Sequence, residues 1–143
     1  MKVPQISVFL ENRTGRLAFV LDTIAKASIN IRTMSLADTS DFGIVRLIVD
    51  DVDAALAALR AAGCTVALTD VLAIEVADRP GGLAEVLDAI AKAGLNVEYM
   101  YAFTSRISDR AIVVFRFEDI DAALAALKDS PVSILTPEQI RSM

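Results

Sequence analysis

The sequence contains no histidine and no tryptophan, and Cys64 is its one cysteine among 143 residues. Histidine is the commonest general base in enzymes and the commonest transition-metal ligand in proteins. Its absence excludes Ser-His and Cys-His nucleophilic chemistry, and a lone cysteine supplies neither a soft metal site nor an internal disulfide. We interpret Cys64, which lies in an apolar stretch, as a small core residue. We therefore expect a protein that is not an enzyme, with no catalytic residue, no metal and no cofactor.

Long apolar runs and clustered basic residues are also missing. No run approaches the roughly 20 residues that a membrane-spanning helix needs, and residues 1–5 (MKVPQ) show no signal-peptide pattern. The formal net charge is −5, so nucleic-acid binding would need a basic stripe that the sequence does not show. Because 55% of the residues are nevertheless hydrophobic, we expect a cytoplasmic homo-oligomer, such as a dimer, with apolar surface between its subunits.

The sequence does contain a duplicated unit. Residues 12–18 (NRTGRLA) reappear as residues 78–84 (DRPGGLA), at an offset of 66 residues. After a two-residue insertion in the second copy, residues 53–59 (DAALAAL) recur unchanged as residues 121–127. Self-similarity at a fixed spacing indicates a repeated structural unit. A unit of this size buries only about 60% of its unfolded surface, so the two halves should support each other.

Hydrophobic periodicity predicts the same order of elements in each copy: strand, helix, strand, strand, helix, strand. Apolar residues alternate over residues 6–10, which is typical of a half-buried strand, and then recur with helical spacing after Gly15. The order predicts an α+β fold, in which one antiparallel sheet of four strands carries both helices on one face. The remaining predicted strands are residues 30–37, 44–49 and 65–68 in the first copy and 72–76, 97–103, 111–117 and 132–135 in the second.

We place the domains at residues 1–69 and 70–143, with Thr69 and Asp70 as the linker and a short tail helix starting near Pro137. In the second copy, strand parity leaves open which of two apolar sets faces the helices: Tyr99, Tyr101 and Phe103, or Val113, Phe115 and Phe117. The acidic runs at residues 50–53 and 118–121 could bind a divalent ion. Because both runs precede predicted helices, we favour helix capping.

The turn between the first strand and the first helix carries candidate binding groups in each copy. Gly15 and Gly81 permit positive φ and a close approach of the backbone to a ligand. The helix N-terminus that follows offers unpaired N–H groups to a carboxylate, while Asn12 or Asp78 adds an acceptor suited to an ammonium group. An α-amino acid presents both of these groups. Alternatively, the Asn or Asp and the glycine serve only to start the helix.

An asparagine recurs later in each copy. Asn30 and Asn96 follow Asn12 and Asp78 by 18 residues, at the start of the second predicted strand. An amide among apolar neighbours can both donate to and accept from a ligand. Alternatively, this asparagine caps the end of the preceding helix.

These motifs resemble the ACT domain family of small-molecule-binding regulatory modules. The family signature is an Asp/Asn-Arg-Pro-Gly-x-Leu turn followed by a Gly-hydrophobic-Asn segment. The second copy is similar in residues 78–83 (DRPGGL) and 94–96 (GLN), whereas the first has Thr14 in place of proline and Ser28 in place of glycine. The resemblance covers nearly the whole chain as two ACT domains in tandem. It implies a ferredoxin-like βαββαβ fold, often paired side by side, that binds an amino acid at the interface of paired domains.

The resemblance also implies which residues bind. In the serine-binding ACT domain of phosphoglycerate dehydrogenase, a similar turn and asparagine come from opposite members of a pair. Carried over, the turn at Asn12 faces Asn96, and the turn at Asp78 faces Asn30. Leu10 stands where that dehydrogenase has a histidine, which favours an apolar or aromatic amino acid. The predicted ligand-binding residues are Asn12, Arg13, Gly15, Asn30, Asp78, Arg79, Gly81, Gly82 and Asn96.

Three kinds of function remain, since both copies are assigned without a catalytic domain. The first is a non-catalytic amino-acid sensor that acts on a partner enzyme of amino-acid metabolism. The second is a regulatory subunit of a biosynthetic enzyme, because residues 6–12 (ISVFLEN) resemble the first strand and turn of the acetolactate synthase small subunit. The third is a structural oligomer or an enzyme on the same scaffold, since fold alone does not assign function.

Overall fold

A computed structural model describes residues 1–103 and 109–143. The predicted order of elements and the α+β fold are confirmed. None of the helices in these two ranges is long and apolar enough to cross a membrane. The elements are β1 (Val3–Glu11), α1 (Arg16–Lys26), β2 (Ile31–Asp38), β3 (Phe42–Val49), α2 (Val52–Ala61), β4 (Thr65–Ala77), α3 (Gly82–Lys92), β5 (Val97–Ala102), β6 (Arg110–Phe117), α4 (Ile120–Leu127), β7 (Ser133–Ile134) and α5 (Pro137–Arg141).

The structure differs from the sequence prediction at the linker between the copies. Thr69 and Asp70, predicted as a linker, lie inside the continuous 13-residue strand β4. The physical reason is that residues 65–79 contain neither glycine nor proline, so the chain has no local signal to turn. By compactness the chain divides into two units, Pro4–Thr69 with Met143 and Met1–Val3 with Asp70–Ser142.

In the unit Pro4–Thr69, β3 lies between β1 and β2 and is antiparallel to both. A short hairpin loop joins β2 to β3, closed by the Thr39 N–H donating to the Phe42 carbonyl at 2.8 Å. Alternate residues of β1 and β3 pack against both helices, as the period-two pattern predicts. The fully or nearly buried core residues are Ile6, Val8, Leu10, Val20, Ile24, Ile29, Val45, Leu47, Val49, Ala55, Leu56 and Leu59.

In the unit containing Asp70–Ser142, the strand order is β7, β4, β6, β5, with all neighbours antiparallel. Val113, Phe115 and Phe117 belong to the core with Val86 and Ile90 of α3, so this set faces the helices. Tyr99 and Tyr101 pair with Arg116 and Val114, and paired residues share a sheet face. The two tyrosines are therefore on the opposite face, which strand parity alone left open.

The acidic runs form helix caps. The Asp51 carboxylate accepts from the Ala54 N–H at 3.1 Å, and the Asp119 carboxylate accepts from the Ala122 N–H at 3.0 Å. The tail helix α5 begins with a capping box at Thr136. Each cap satisfies a donor that the helix itself leaves unpaired, which accounts for short acidic residues at these positions.

Candidate functional site

The two glycine turns have nearly the same backbone geometry. Gly15 is the N-cap residue of α1 with φ 87°, and Gly81 is the N-cap residue of α3 with φ 84°. Both angles lie in the left-handed region that favours glycine. Glycine has no side chain to cap the helix, so neither N-cap residue satisfies the N–H groups of the first helical turn. The turns thus present helix donors where the sequence predicts a carboxylate site.

Asn12 fixes the first turn to the neighbouring hairpin. Its N–H donates to the Asp41 carbonyl at 2.9 Å, and its side-chain Nδ2 donates to the carbonyls of Thr39 at 3.5 Å and Ser40 at 3.4 Å. These contacts point away from α1, so the alternative that the Asn12 side chain caps this helix is wrong. The other polar atom of this side chain, Oδ1, is a hydrogen-bond acceptor.

The second turn has one matching contact. The Asp78 N–H donates to the Asp109 carbonyl at 3.1 Å, as the Asn12 N–H does to Asp41. Both copies therefore secure the residue after their first strand to the connection between their second and third strands.

A cavity of about 270 Å³ opens beside the Asn12 turn. Its volume is close to the lower end of ligand pockets, about 300 Å³, which suits a molecule as small as one amino acid. Apolar walls come from both helix and sheet, and polar groups come from the turn and from the end of β2. The lining residues are Leu10, Glu11, Asn12, Arg13, Leu17, Leu36, Asp38 and Gly43.

Each of the two arginines predicted to bind the ligand forms an ion pair with a carboxylate of its own copy. The Arg13 Nε lies 2.8 Å from the Glu11 Oε2, and the Arg79 Nη2 lies 2.8 Å from the Glu85 Oε2. All four side chains are at least half exposed, between 50% and 69%. Exposed pairs of this kind contribute about 0–1 kcal/mol, so a ligand carboxylate could compete for either guanidinium.

Gly82 has a packing role that the sequence did not reveal. A Cβ atom at this position would lie 2.0 Å from the Ala77 carbonyl oxygen, a distance that forbids any side chain. The first copy has Arg16 at the equivalent position. Only the geometry of strand and helix shows this requirement, because glycine at the start of a helix is equally compatible with a binding role.

Asn30 does not cap the end of α1. The Ser28 N–H donates to the Ala25 carbonyl at 2.9 Å and the Ile29 N–H donates to the Ile24 carbonyl at 3.3 Å, so backbone groups close the helix. Asn30 is exposed, and its N–H donates to the Asp50 Oδ1 at 3.1 Å. The capping alternative is therefore wrong for Asn30, whose backbone is fixed while its side chain faces solvent.

Within each copy, the glycine turn and the later asparagine lie far apart. Because β1 and β2 are both antiparallel to β3, the Asn12 turn lies where β2 ends, whereas Asn30 lies where β2 begins. The eight residues of β2 separate these ends by roughly 25 Å, at about 3.3 Å per residue. In the second copy β4 and β5 are likewise antiparallel to β6, so Asp78 and Asn96 are also at opposite ends. Any site that uses both groups needs two copies.

The fold and the paired turns define a duplicated module of the ferredoxin-like type. A family model described as an ACT domain pair matches residues 1–142, and the chain belongs to this family. The ACT domain pair is a regulatory, non-catalytic module. The resemblance found in the sequence is thereby confirmed. No curated protein matches the chain.

Several solved structures are similar. Protein BT0572 from Bacteroides thetaiotaomicron is 38% identical with a TM-score of 0.92, and the match covers 100% of this chain and 98% of that one. The regulatory subunits of aspartate kinase from Thermus flavus and Thermus thermophilus are 23% and 22% identical, with TM-scores of 0.59 and 0.61. Each of these two matches covers 87% of this chain and 90% of the other. At this identity they show the shared fold.

Proposed function

We propose that this protein is a non-catalytic sensor that binds a free amino acid at the glycine turn of an ACT domain and regulates a partner enzyme. The observation that carries the proposal is the cavity beside Asn12, where the turn after β1, the first turn of α1 and apolar side chains meet. We assign the two ACT domains to residues 1–69 and 70–143.

The cavity offers a partner for each part of an amino acid. The N–H groups of Leu17 and Ala18, in the first turn of α1, carry partial positive charge and suit the α-carboxylate. The Asn12 amide oxygen and the Asp38 carboxylate suit the ammonium group. Leu17 and Leu36 join Leu10 in the wall, which favours an apolar side chain on the ligand.

The complete site combines two copies of the unit. The strand directions support this step, because they separate the turn from the asparagine within each copy. We propose the pairing that the family resemblance implies, with Asn12 opposite Asn96 and Asp78 opposite Asn30. Arg13, Arg79, Gly15 and the two glycines 81–82 remain proposed ligand-binding positions.

The regulated partner is the least defined part of the proposal. Two structural neighbours are named as regulatory subunits of aspartate kinase, and we propose that this chain likewise acts on an enzyme of amino-acid metabolism, as a cytoplasmic homo-oligomer. A subunit of an acetolactate synthase type of enzyme is the second candidate. Co-purification of a large catalytic subunit would favour that candidate over a free sensor.

Thermal denaturation against each of the twenty amino acids tests the proposal. A ligand at about 100 times its dissociation constant adds roughly 2.7 kcal/mol to the native state, and for a chain of this size the expected rise in Tm is several degrees. Asn12→Ala and Asn96→Ala should each reduce the rise at fixed ligand concentration. Asp22→Ala, at an exposed position on α1, is the matched control and should keep the full rise.

Two outcomes contradict different parts of the proposal. If no amino acid raises the Tm at millimolar concentration, the chain is not an amino-acid sensor. If an amino acid binds but neither asparagine variant weakens it, the proposed pairing of Asn12 with Asn96 is wrong.

A further inference from the structure

A second cavity of about 310 Å³ lies within the unit Pro4–Thr69. It is bounded by the C-terminal part of β1, the first residue of α1 and the chain that leaves α2 for β4. Its walls include Val8, Phe9, Arg16, Val20, Phe42 and Cys64. A volume near 300 Å³ fits a small molecule rather than a peptide.

Arg16 is a cation without an ionic partner among the described residues. Its buried Nε makes no hydrogen bond to any of them, and its Cζ lies 5.3 Å from the centroid of the Phe19 ring. Glu11 also lines the cavity, but it is paired with the Arg13 Nε at 2.8 Å. The cavity therefore has a positive charge that its own acidic wall residue does not neutralise, which favours an anion.

The rest of the wall is apolar. Phe9 is 47% exposed and Phe42 is 64% exposed, and such large exposed apolar side chains beside a cavity indicate a binding surface. Val8 and Val20, which also line the cavity, are buried. An anion with an apolar tail could bind Arg16 through its charge and the two rings through its tail.

The second copy cannot form the same site. Gly82 occupies the position equivalent to Arg16, and the Ala77 carbonyl leaves no space for a side chain there. The feature is therefore specific to the first copy and is not a consequence of the duplicated fold.

From these observations we propose that the Arg16 cavity binds a small apolar monocarboxylate that lacks an α-amino group, such as a branched-chain 2-oxo acid. The Arg16 guanidinium binds the carboxylate, and Phe9 and Phe42 contact the apolar tail. An ammonium group would need a free carboxylate, and Glu11 is occupied by Arg13. This site is distinct from the proposed amino-acid site, which depends on Asn12.

Cys64 provides a built-in reporter, because it is the one cysteine of the chain and it lines this cavity. It packs against the core of this unit, as the sequence interpretation expects, and it is partly exposed. The experiment is the rate of alkylation of the full chain by N-ethylmaleimide, followed by mass spectrometry, with 4-methyl-2-oxopentanoate as the probe. At about ten times its dissociation constant, the probe should slow alkylation about tenfold by simple occupancy.

Two comparisons identify the chemistry. The neutral isostere 4-methyl-2-oxopentanamide and the amino acid leucine should protect Cys64 at least several-fold less than the oxo acid. Arg16→Gln should abolish protection, whereas Arg60→Gln, which removes an exposed guanidinium from the last turn of α2, and Asn12→Ala should keep it. The wild-type comparison of acid with amide needs no variant, so it stands even if Arg16→Gln folds poorly.

The proposal is overturned if the oxo acid gives no protection at millimolar concentration, if the amide or leucine protects as well as the acid, or if protection survives Arg16→Gln. None of these outcomes bears on the amino-acid sensor, whose test is the thermal shift and its loss in Asn12→Ala.

Discussion

Ser28 shows how one departure from the family motif acts on the backbone. It ends α1 with φ 57°, the one positive φ among the described non-glycine residues. Gly94 ends α3 in the same way with φ 74°, and each residue donates its N–H to the carbonyl three positions earlier, on Ala25 and on Ala91. The left-handed conformation costs a residue with a Cβ atom about 1 kcal/mol or more. The first copy therefore carries strain at a position where the second does not.

Exchanging these residues should move stability in opposite directions. Ser28→Gly should raise the free energy of unfolding by about 1 kcal/mol, and Gly94→Ser should lower it by a similar amount, since only glycine adopts this φ without steric cost. Urea denaturation followed by circular dichroism measures both changes. Destabilisation by Ser28→Gly would show that the Ser28 side chain has a stabilising role that outweighs the strain.

At the residue scale, the sequence predicted the backbone conformation of the turn glycines better than it predicted side-chain contacts. The positive φ of Gly15 and Gly81 follows from their place in a turn before a helix, and the structure has both. The pairing of Arg79 with Glu85 could not be predicted, because many carboxylates lie within reach of an exposed arginine. The packing role of Gly82 could not be predicted either, since it depends on the approach of Ala77, a distance set by the fold.

At the element scale, α2 and α4 begin with the same device. Asp51 and Asp119 have extended backbones, and their carboxylates accept from the N–H three residues later. Asp51→Ala and Asp119→Ala should each lower the free energy of unfolding by about 1 kcal/mol, the usual cost of losing an N-cap. Urea denaturation measures the loss.

Serine is the matched control at both caps, because its hydroxyl oxygen can replace the carboxylate as acceptor. Asp51→Ser and Asp119→Ser should stay within a few tenths of a kcal/mol of the parent. Equal losses for the alanine and serine variants would mean that charge at the helix N-terminus, rather than the hydrogen bond, supplies the stability.

Elements were predictable where a local signal exists. Helical spacing after Gly15 and the acidic runs at residues 50–53 and 118–121 indicated where α1, α2 and α4 begin. Strand β4 was not predictable as one element, because the repeat suggested a boundary at residues 69–70 while the backbone continues through it. Strand periodicity therefore does not show where one copy ends and the next begins.

At the scale of the whole molecule, the duplication gives similar architecture with unequal chemistry. Both copies have the glycine turn, the later asparagine and the same strand directions. Arg16 and Gly82 occupy equivalent positions, and Ala77 leaves no space for a side chain at position 82. A site that depends on the Arg16 guanidinium is therefore confined to the first copy.

The whole molecule should also be insensitive to pH near neutrality, because it contains no histidine, the side chain whose ordinary pKa lies in that range. A hydrogen bond and an ion pair with Asp121 raise the pKa of Lys2 above 10.5. The stabilisation linked to Lys2 is therefore present below that pH and lost only as pH rises through the raised pKa. A backbone hydrogen bond, with the charge of Arg141, lowers the pKa of Glu138 below 4.5.

The stabilisation linked to Glu138 is thus present above 4.5 and lost only as pH falls through the lowered pKa. Between about pH 6 and about pH 8 neither group changes its charge, and we expect the free energy of unfolding to vary by less than about 0.5 kcal/mol. Urea denaturation at three pH values across this range is the measurement. A change of more than about 1 kcal/mol would contradict this expectation. It would mean that folding shifts the pKa of some group that titrates in this range by close to one unit.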